Sequence, residues 1–219
     1  MHALRVLVTR PRDQAPPVVA ELEASGFEAV VEPLIEVEPL RGDAIDVAGY
    51  DWVIVTSANG ARELARRMSA TPERVAAIGP GTAAALSEAG LRADVVAEVH
   101  TQEGLVDALR DRPGRMLFVG AEGARSHLAD ELGADFTAVY RTVDLGVASL
   151  PPADLALLMS ASAARAYARA GGRGPAISIG PQTTAAARAA DVEVVAEAES
   201  HDVRGLVDCA AAWRASSRS

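Results

Sequence analysis

Ile78-Gly79-Pro80-Gly81-Thr82 and Ile179-Gly180-Pro181-Gln182-Thr183 are almost the same pentapeptide, IGPGT and IGPQT, written twice in one chain of 219 residues. Each follows a short β-branched run and leads into an alanine-rich stretch, the pattern of a strand turning into a helix. The likeness extends both ways from the pentapeptides. Upstream, DWVIVTSANGARELA (51–65) aligns with DLALLMSASAARAYA (154–168). Downstream, EGLVDAL (103–109) is echoed by RGLVDCA (204–210). Three matched blocks in one order point to a duplicated half. A solenoid needs more copies, so the expectation is two similar lobes.

Short apolar runs alternate with helical stretches along the whole chain: LRVLVTR, FEAVVEP, YDWVIVTS, RVAAIG, ADVVAE, GRMLFVG, ADFTAVYRTV, ADLALLMS, PAISIG and VEVVAE. That alternation predicts an α/β fold, each lobe a parallel sheet flanked by helices. Val18, Val19 and Leu22 suit the buried face of the first helix, and Gly26 suits its left-handed end. LRVLVTRP before the first copy resembles RMLFVGAEGAR after it, so the lobes are not consecutive in sequence. Residues 1–35 join 146–219 in lobe one, and 41–137 form lobe two. The segments 36–40 and 138–145 are β-prone and predict a two-strand linker, with a cleft above it. The tail AWRASSRS reads as frayed.

Composition removes several chemistries. The formal net charge is −9, and all 21 basic residues are arginine. Without lysine there is no Schiff-base or pyridoxal phosphate chemistry and no Walker loop. An acidic chain with interspersed arginines does not suit nucleic acid. No apolar run reaches the roughly 20 residues that span a bilayer, and no signal peptide is evident, so the expectation is a cytoplasmic protein without a membrane partner. Cys209 is the single cysteine, which rules out an internal disulfide framework, and a lone cysteine on an apolar face reads as a core residue. His2, His100, His127 and His201 show no metal-ligand spacing, so no metal is expected.

Each repeated turn lies where a strand ends and a helix begins, the edge at which doubly wound sheets bind ligands. Ser57-Ala58-Asn59 and Ser160-Ala161-Ser162 supply small residues there, and Thr82 and Thr183 add hydroxyls one strand along. Helix starts of this kind attract anions. Serine and threonine are also ordinary N-caps, so the functional reading rests on the set being duplicated. Gly79-x-Gly81-x-x-Ala84 fits a loose dinucleotide fingerprint, but it lies mid-domain and its copy at Gly180 lacks the middle glycine.

With TSANG, IGPGT, VYRTV, the Ser160–Ser162 turn and IGPQT in order, the chain resembles the uroporphyrinogen-III synthases over essentially its whole length. The resemblance implies two α/β lobes on a two-strand linker and closure of the linear tetrapyrrole hydroxymethylbilane, with inversion of the last ring and loss of water. It implies no cofactor. Tyr140, in the second linker, is implied as the catalytic phenol, and Arg10, Ser57, Ala58, Asn59, Thr82, Ser160, Ala161, Ser162 and Thr183 as substrate-binding residues. It further suggests a monomer receiving its substrate from the preceding deaminase. One departure stands out: the family often has an arginine in the turn that here reads Val119-Gly120-Ala121. The competing expectation is a non-catalytic two-lobed domain that senses a tetrapyrrole or another polycarboxylate.

Overall fold

The computed structural model describes residues 3–217. In chain order the elements are β1 (Arg5–Val8), α1 (Pro16–Ala24), β2 (Glu28–Val31), β3 (Ile35–Pro39), β4 (Trp52–Val55), α2 (Ala58–Arg67), β5 (Val75–Ala77), α3 (Pro80–Glu88), β6 (Val95–Val96) and α4 (Gln102–Leu109). They continue with β7 (Met116–Ala121), α5 (His127–Leu132), β8 (Asp135–Asp144), β9 (Leu155–Leu158), α6 (Ala161–Arg169), β10 (Ala176–Ser178), α7 (Pro181–Arg188), β11 (Val194–Glu197) and α8 (Val203–Ser216). All ten expected strand segments form strands. The β-prone segment at 36–40 forms most of an eleventh, β3.

The chain forms two units, a contiguous one of Val37–Thr142 and a split one that combines residues up to Glu36 with those from Val143. Their sheets have the same plan. The split unit is ordered β11-β10-β9-β1-β2 and the contiguous unit β6-β5-β4-β7-β8, with β3 beyond β8. Register matches too: Val53 pairs with Val75 and Leu117, while Ala156 pairs with Ala176 and Leu7. Strands β1 and β2, at the front of the chain, therefore take the places that β7 and β8 hold in the other unit. The pairings that build both plans are parallel. Strand β3 is the exception. Leu40 N–H donates to Val139 O and Leu145 N–H to Leu34 O, so β3 runs against β8 and the contiguous sheet is mixed.

Parallel strands covered on both faces must be apolar throughout. Trp52–Val55 and Leu155–Leu158 are buried at every position. Successive side chains point to opposite faces. Val53 and Val55 join Leu64 and Leu86 under α2 and α3, while Trp52 and Ile54 join Leu105 and Leu109 under α4. In the split unit Ala156 and Leu158 pack with α6 and α7, while Leu155 and Leu157 face α1 and α8.

Helix α1 ends as Gly26 predicts. Its φ is +76°, Gly26 N–H donates to Glu23 O, and Phe27 N–H reaches back to Leu22 O, each at 3.0 Å. This double closure satisfies carbonyls the helix would otherwise leave open. The tail departs from expectation, because α8 continues to Ser216. Arg214 accounts for this: its guanidinium lies 4.1 Å over the Phe27 ring, and Nη1 donates to Ser25 O at 3.1 Å. The last two residues of AWRASSRS, Arg218 and Ser219, lie outside the described residues, as does His2.

Candidate active site

In the contiguous unit Ser57 opens α2, Thr82 lies in the first turn of α3, and Tyr140 sits on β8. Ser57 is the N-cap of α2, in extended conformation, and its Oγ accepts the Gly60 N–H at 3.0 Å. The same Oγ lies 2.9 Å from the Tyr140 hydroxyl. Tyr140 sits on β8 with only 7% of its surface exposed, its ring built into the α2/α3 core. Burial pushes the phenol above its ordinary pKa of 10.0, and the Ser57 hydrogen bond pulls against that shift. The phenol is thus protonated across the physiological range and held at a helix start by a hydroxyl that can accept or donate.

Helix α3 begins differently. Its N-cap is Gly79, without a side-chain oxygen, and Pro80 has no N–H, so the Gly81 N–H has no intrahelical partner. Thr82 is 6% exposed, and among the described residues its hydroxyl has no hydrogen-bond partner. The side chain is thus largely covered while its hydroxyl stays available beside the open helix start.

The split unit repeats the arrangement. Ser160 caps α6 and accepts the Ala163 N–H at 3.1 Å. Gly180 and Pro181 start α7, leaving the Gln182 N–H open, and Thr183 is 4% exposed with its hydroxyl equally unpartnered among the described residues. Ala58 and Asn59 occupy the first turn of α2, and Ala161 and Ser162 that of α6. Asn59 Oδ1 accepts from Arg62 at 3.1 Å, and Ser162 Oγ from Arg165 at 3.4 Å. Arg10 follows β1, and its Nη2 donates to Gln14 Oε1 at 3.1 Å.

The register pairs Gly120 of the contiguous unit with Arg10 of the split unit, three residues beyond Leu117 and Leu7 respectively. A Cβ at Gly120 would stand 2.8 Å from Phe118 Cζ, and the Phe118 ring packs on Phe136 with centroids 5.0 Å apart. The aromatic pair fills the space that a larger residue would need.

Three features of the site escaped the sequence. The Ser57–Tyr140 contact spans 83 positions, which no local pattern reveals. His100 and His201 are repeat partners, each lying against the glycine that caps the next helix start. Their signal was present, since both stand just ahead of the matched EGLVDAL and RGLVDCA blocks. Third, Ser178, Thr184 and Glu197 form a hydroxyl–carboxylate chain in the split unit. Ser178 Oγ lies 2.5 Å from Thr184 Oγ1, which in turn donates to Glu197.

Among the described residues no group of three or more His, Cys, Asp or Glu could hold a metal ion, and no helix is long and apolar enough to cross a membrane.

Comparison with known proteins gives one family throughout. The family described as uroporphyrinogen-III synthase HemD matches residues 17–208. A uroporphyrinogen-III synthase of Synechococcus elongatus is 29% identical over 143 residues, covering 58% of this chain and 54% of that protein. One of Chlorobaculum parvum is 46% identical over 55 residues, 25% of this chain and 22% of its own. The chain spans about half the length of the curated relatives it matches first. A crystal structure of a mutant uroporphyrinogen III synthase from Thermus thermophilus shares the fold, with a TM-score of 0.66 and 20% identity over 99% of this chain and 100% of that one.

Proposed function

Because the chain belongs to the uroporphyrinogen-III synthase family, we propose that it closes hydroxymethylbilane to uroporphyrinogen III, inverting the terminal pyrrole and releasing water. The observation that carries the reading is the Ser57–Tyr140 hydroxyl pair, 2.9 Å apart at the strand-end edge of the sheet. An acid is needed at one step only, the departure of the bilane hydroxyl. Tyr140 donates its proton to that oxygen, water leaves, and the ring system is left as an azafulvene cation. The terminal ring is attacked at its substituted carbon, and the spiro intermediate fragments and recloses in inverted order. The closing carbon then loses a proton, which restores the phenol. A phenol raised above its ordinary pKa is a weak acid, so its share of the acceleration is modest, about 10–100-fold. Folding the substrate so that its ends meet in the right order supplies the larger part.

Carboxylate arms on every ring make the substrate a polyanion. The open N–H groups of Gly81 and Gln182 and the unpartnered hydroxyls of Thr82 and Thr183 supply donors for such arms. Ser57, Ala58 and Asn59, and Ser160, Ala161 and Ser162, offer further first-turn amides, and Arg10 a guanidinium. Local donors of this kind act at short range, where screening is least, whereas the net charge of −9 spread over the molecule is largely screened beyond about 10 Å. The same reading takes the protein as a cytoplasmic monomer. Since the bilane closes spontaneously to the uninverted isomer, rapid transfer from the preceding deaminase serves the reaction.

The test feeds hydroxymethylbilane to the protein and separates isomers I and III by chromatography. Isomer III is expected to dominate; isomer I alone at high protein concentration would overturn the assignment.

A further inference from the structure

Both units press an imidazole against the glycine that opens the Thr-bearing helix. A Cβ built on Gly79 would stand 3.0 Å from Cγ and 3.2 Å from Cδ2 of His100. One built on Gly180 would stand 3.1 Å from both Cδ2 and Nε2 of His201. Neither glycine is required by its own backbone, since both are extended, with φ of −177° and 170°. What needs the missing side chain is the ring beside it.

The histidines are held there by the same device in each copy. His100 precedes Thr101, whose Oγ1 accepts the Gly104 N–H at 3.1 Å; His201 precedes Asp202, whose Oδ1 accepts the Gly205 N–H at 2.7 Å. A Cβ at Gly104 would come 2.0 Å from Val99 O, and one at Gly205 2.1 Å from Ser200 O. The loop before each helix is thus closed tightly on itself, with the imidazole against the glycine. Much else has diverged between the copies: Gln102 stands opposite Val203 and Glu103 opposite Arg204. The glycine–imidazole contact is common to both.

We propose that His100 and His201 are substrate-recognition residues, each completing a carboxylate subsite with the adjacent helix start. In the contiguous unit the partners are the Gly81 N–H and the Thr82 hydroxyl; in the split unit they are the Gln182 N–H and the Thr183 hydroxyl. The second observation behind this is the pair of threonines, both more than nine-tenths buried with unpartnered hydroxyls at the same two turns. An imidazole adds an N–H donor to a carboxylate bound there. In a protein without lysine, it supplies a compact donor where a flexible arginine would need more room. The inference rests on the synthase reading and names two more residues of that site.

Leucine and glutamine are close in size, but only glutamine offers an N–H. His100→Leu is expected to raise KM for hydroxymethylbilane about 10-fold with kcat within about 2-fold, and His100→Gln to recover most of the loss. Binding of uroporphyrin III, a stable octacarboxylate followed by its fluorescence, should weaken in step. The same pair of substitutions at His201 repeats the measurement in the other unit, so one poorly folding variant leaves the second test standing. Leucine variants that keep wild-type KM and porphyrin affinity, or glutamine variants that lose as much as leucine, would overturn the inference while isomer III formation still upholds the synthase reading. Wild-type protein that makes isomer I alone would instead remove the reading itself.

Discussion

The contiguous and split units are built to one plan, yet they keep their polar groups in different places. In the contiguous unit the N-cap hydroxyl of α2 meets a phenol, whereas Ser160 in the split unit caps α6 and, among the described residues, hydrogen-bonds no tyrosine. The split unit instead buries Ser178 and Thr184 in a chain to Glu197. The contiguous unit has Ala77, Ala83 and Val96 at the corresponding positions. Duplication therefore supplied two equivalent sets of helix starts, and divergence gave the acid to one and an internal polar brace to the other. Shared features then belong to the architecture or to binding, while unshared ones are candidates for the chemistry.

The largest expected effect tests what is shared. Gly205→Ala would place a Cβ 2.1 Å from the Ser200 carbonyl oxygen, a clash with backbone that cannot rotate away. The split unit should lose about 3 kcal/mol or more. Urea unfolding followed by Trp213 fluorescence in a Trp52→Phe background reads this unit alone. Gly104→Ala should do the same to the contiguous unit with Trp52 as reporter.

Next comes the unshared acid. Tyr140→Phe should lower turnover about 10–100-fold with substrate affinity nearly kept. Ser57→Ala and Ser160→Ala both remove a helix cap and should each cost about 1 kcal/mol of stability. Only Ser57→Ala should also slow turnover, by about 10-fold, and it should add nothing further in the Tyr140→Phe background. Equal slowing by both alanines would erase the distinction between the units.

The polar brace gives a similar effect on stability alone. Thr184→Val strips Ser178 of its acceptor inside a fully buried site, which should cost about 1–3 kcal/mol in urea unfolding. Installing all three residues of the other unit, as Ser178→Ala, Thr184→Ala and Glu197→Val together, should restore most of it, because nothing polar is then left unpaired.

The smallest effect concerns the helices that follow. Arg125 hydrogen-bonds Glu103 and holds its carboxyl at a pKa of about 2, well below the ordinary 4.5. The stabilisation from a lowered carboxyl is present above the ordinary value and is lost as pH falls toward about 2. Arg125→Gln should return Glu103 toward 4.5 in a carboxyl 13C titration. Both partners are about half exposed, so the stability change should stay near about 0.2–1 kcal/mol. Arg204 occupies this position in α8, and in the split unit the carboxyls held low are Asp202 and Asp144, through the Gly205 and Gly146 N–H groups, so its acid-side slope should be indifferent to Arg125→Gln.

Much of the fold was legible because the signal was local and repeated. Apolar runs such as WVIV and LALL announce strands buried on both faces, and the doubled pentapeptide announces two helix starts on one sheet edge. The antiparallel placement of β3 was not legible, since pairing direction depends on where the partner strand lies rather than on the segment's own pattern. At the site, residue types could be read but contacts could not. Thr82 and Thr183 stand out as hydroxyls after Gly-Pro, yet their lack of partners shows only in three dimensions. The histidines showed no spacing that would connect them to a site, because their neighbours are brought near by the fold and not by the local sequence. The tail was misjudged for a related reason, as the ring that holds Arg214 lies 187 positions earlier, 214 − 27, at Phe27.

Strand β1 lies between β9 and β2 in the split sheet, so one neighbour follows it closely in sequence and the other comes about 150 residues later. During synthesis Val6, Leu7 and Val8 leave the ribosome well before Leu155–Leu158 and must wait for them before they are covered on that side. The contiguous unit needs no such delay. The nascent chain thus carries an unfinished, greasy strand while the contiguous unit, residues 37–142, can already fold, and that waiting period is where a holdase would matter most.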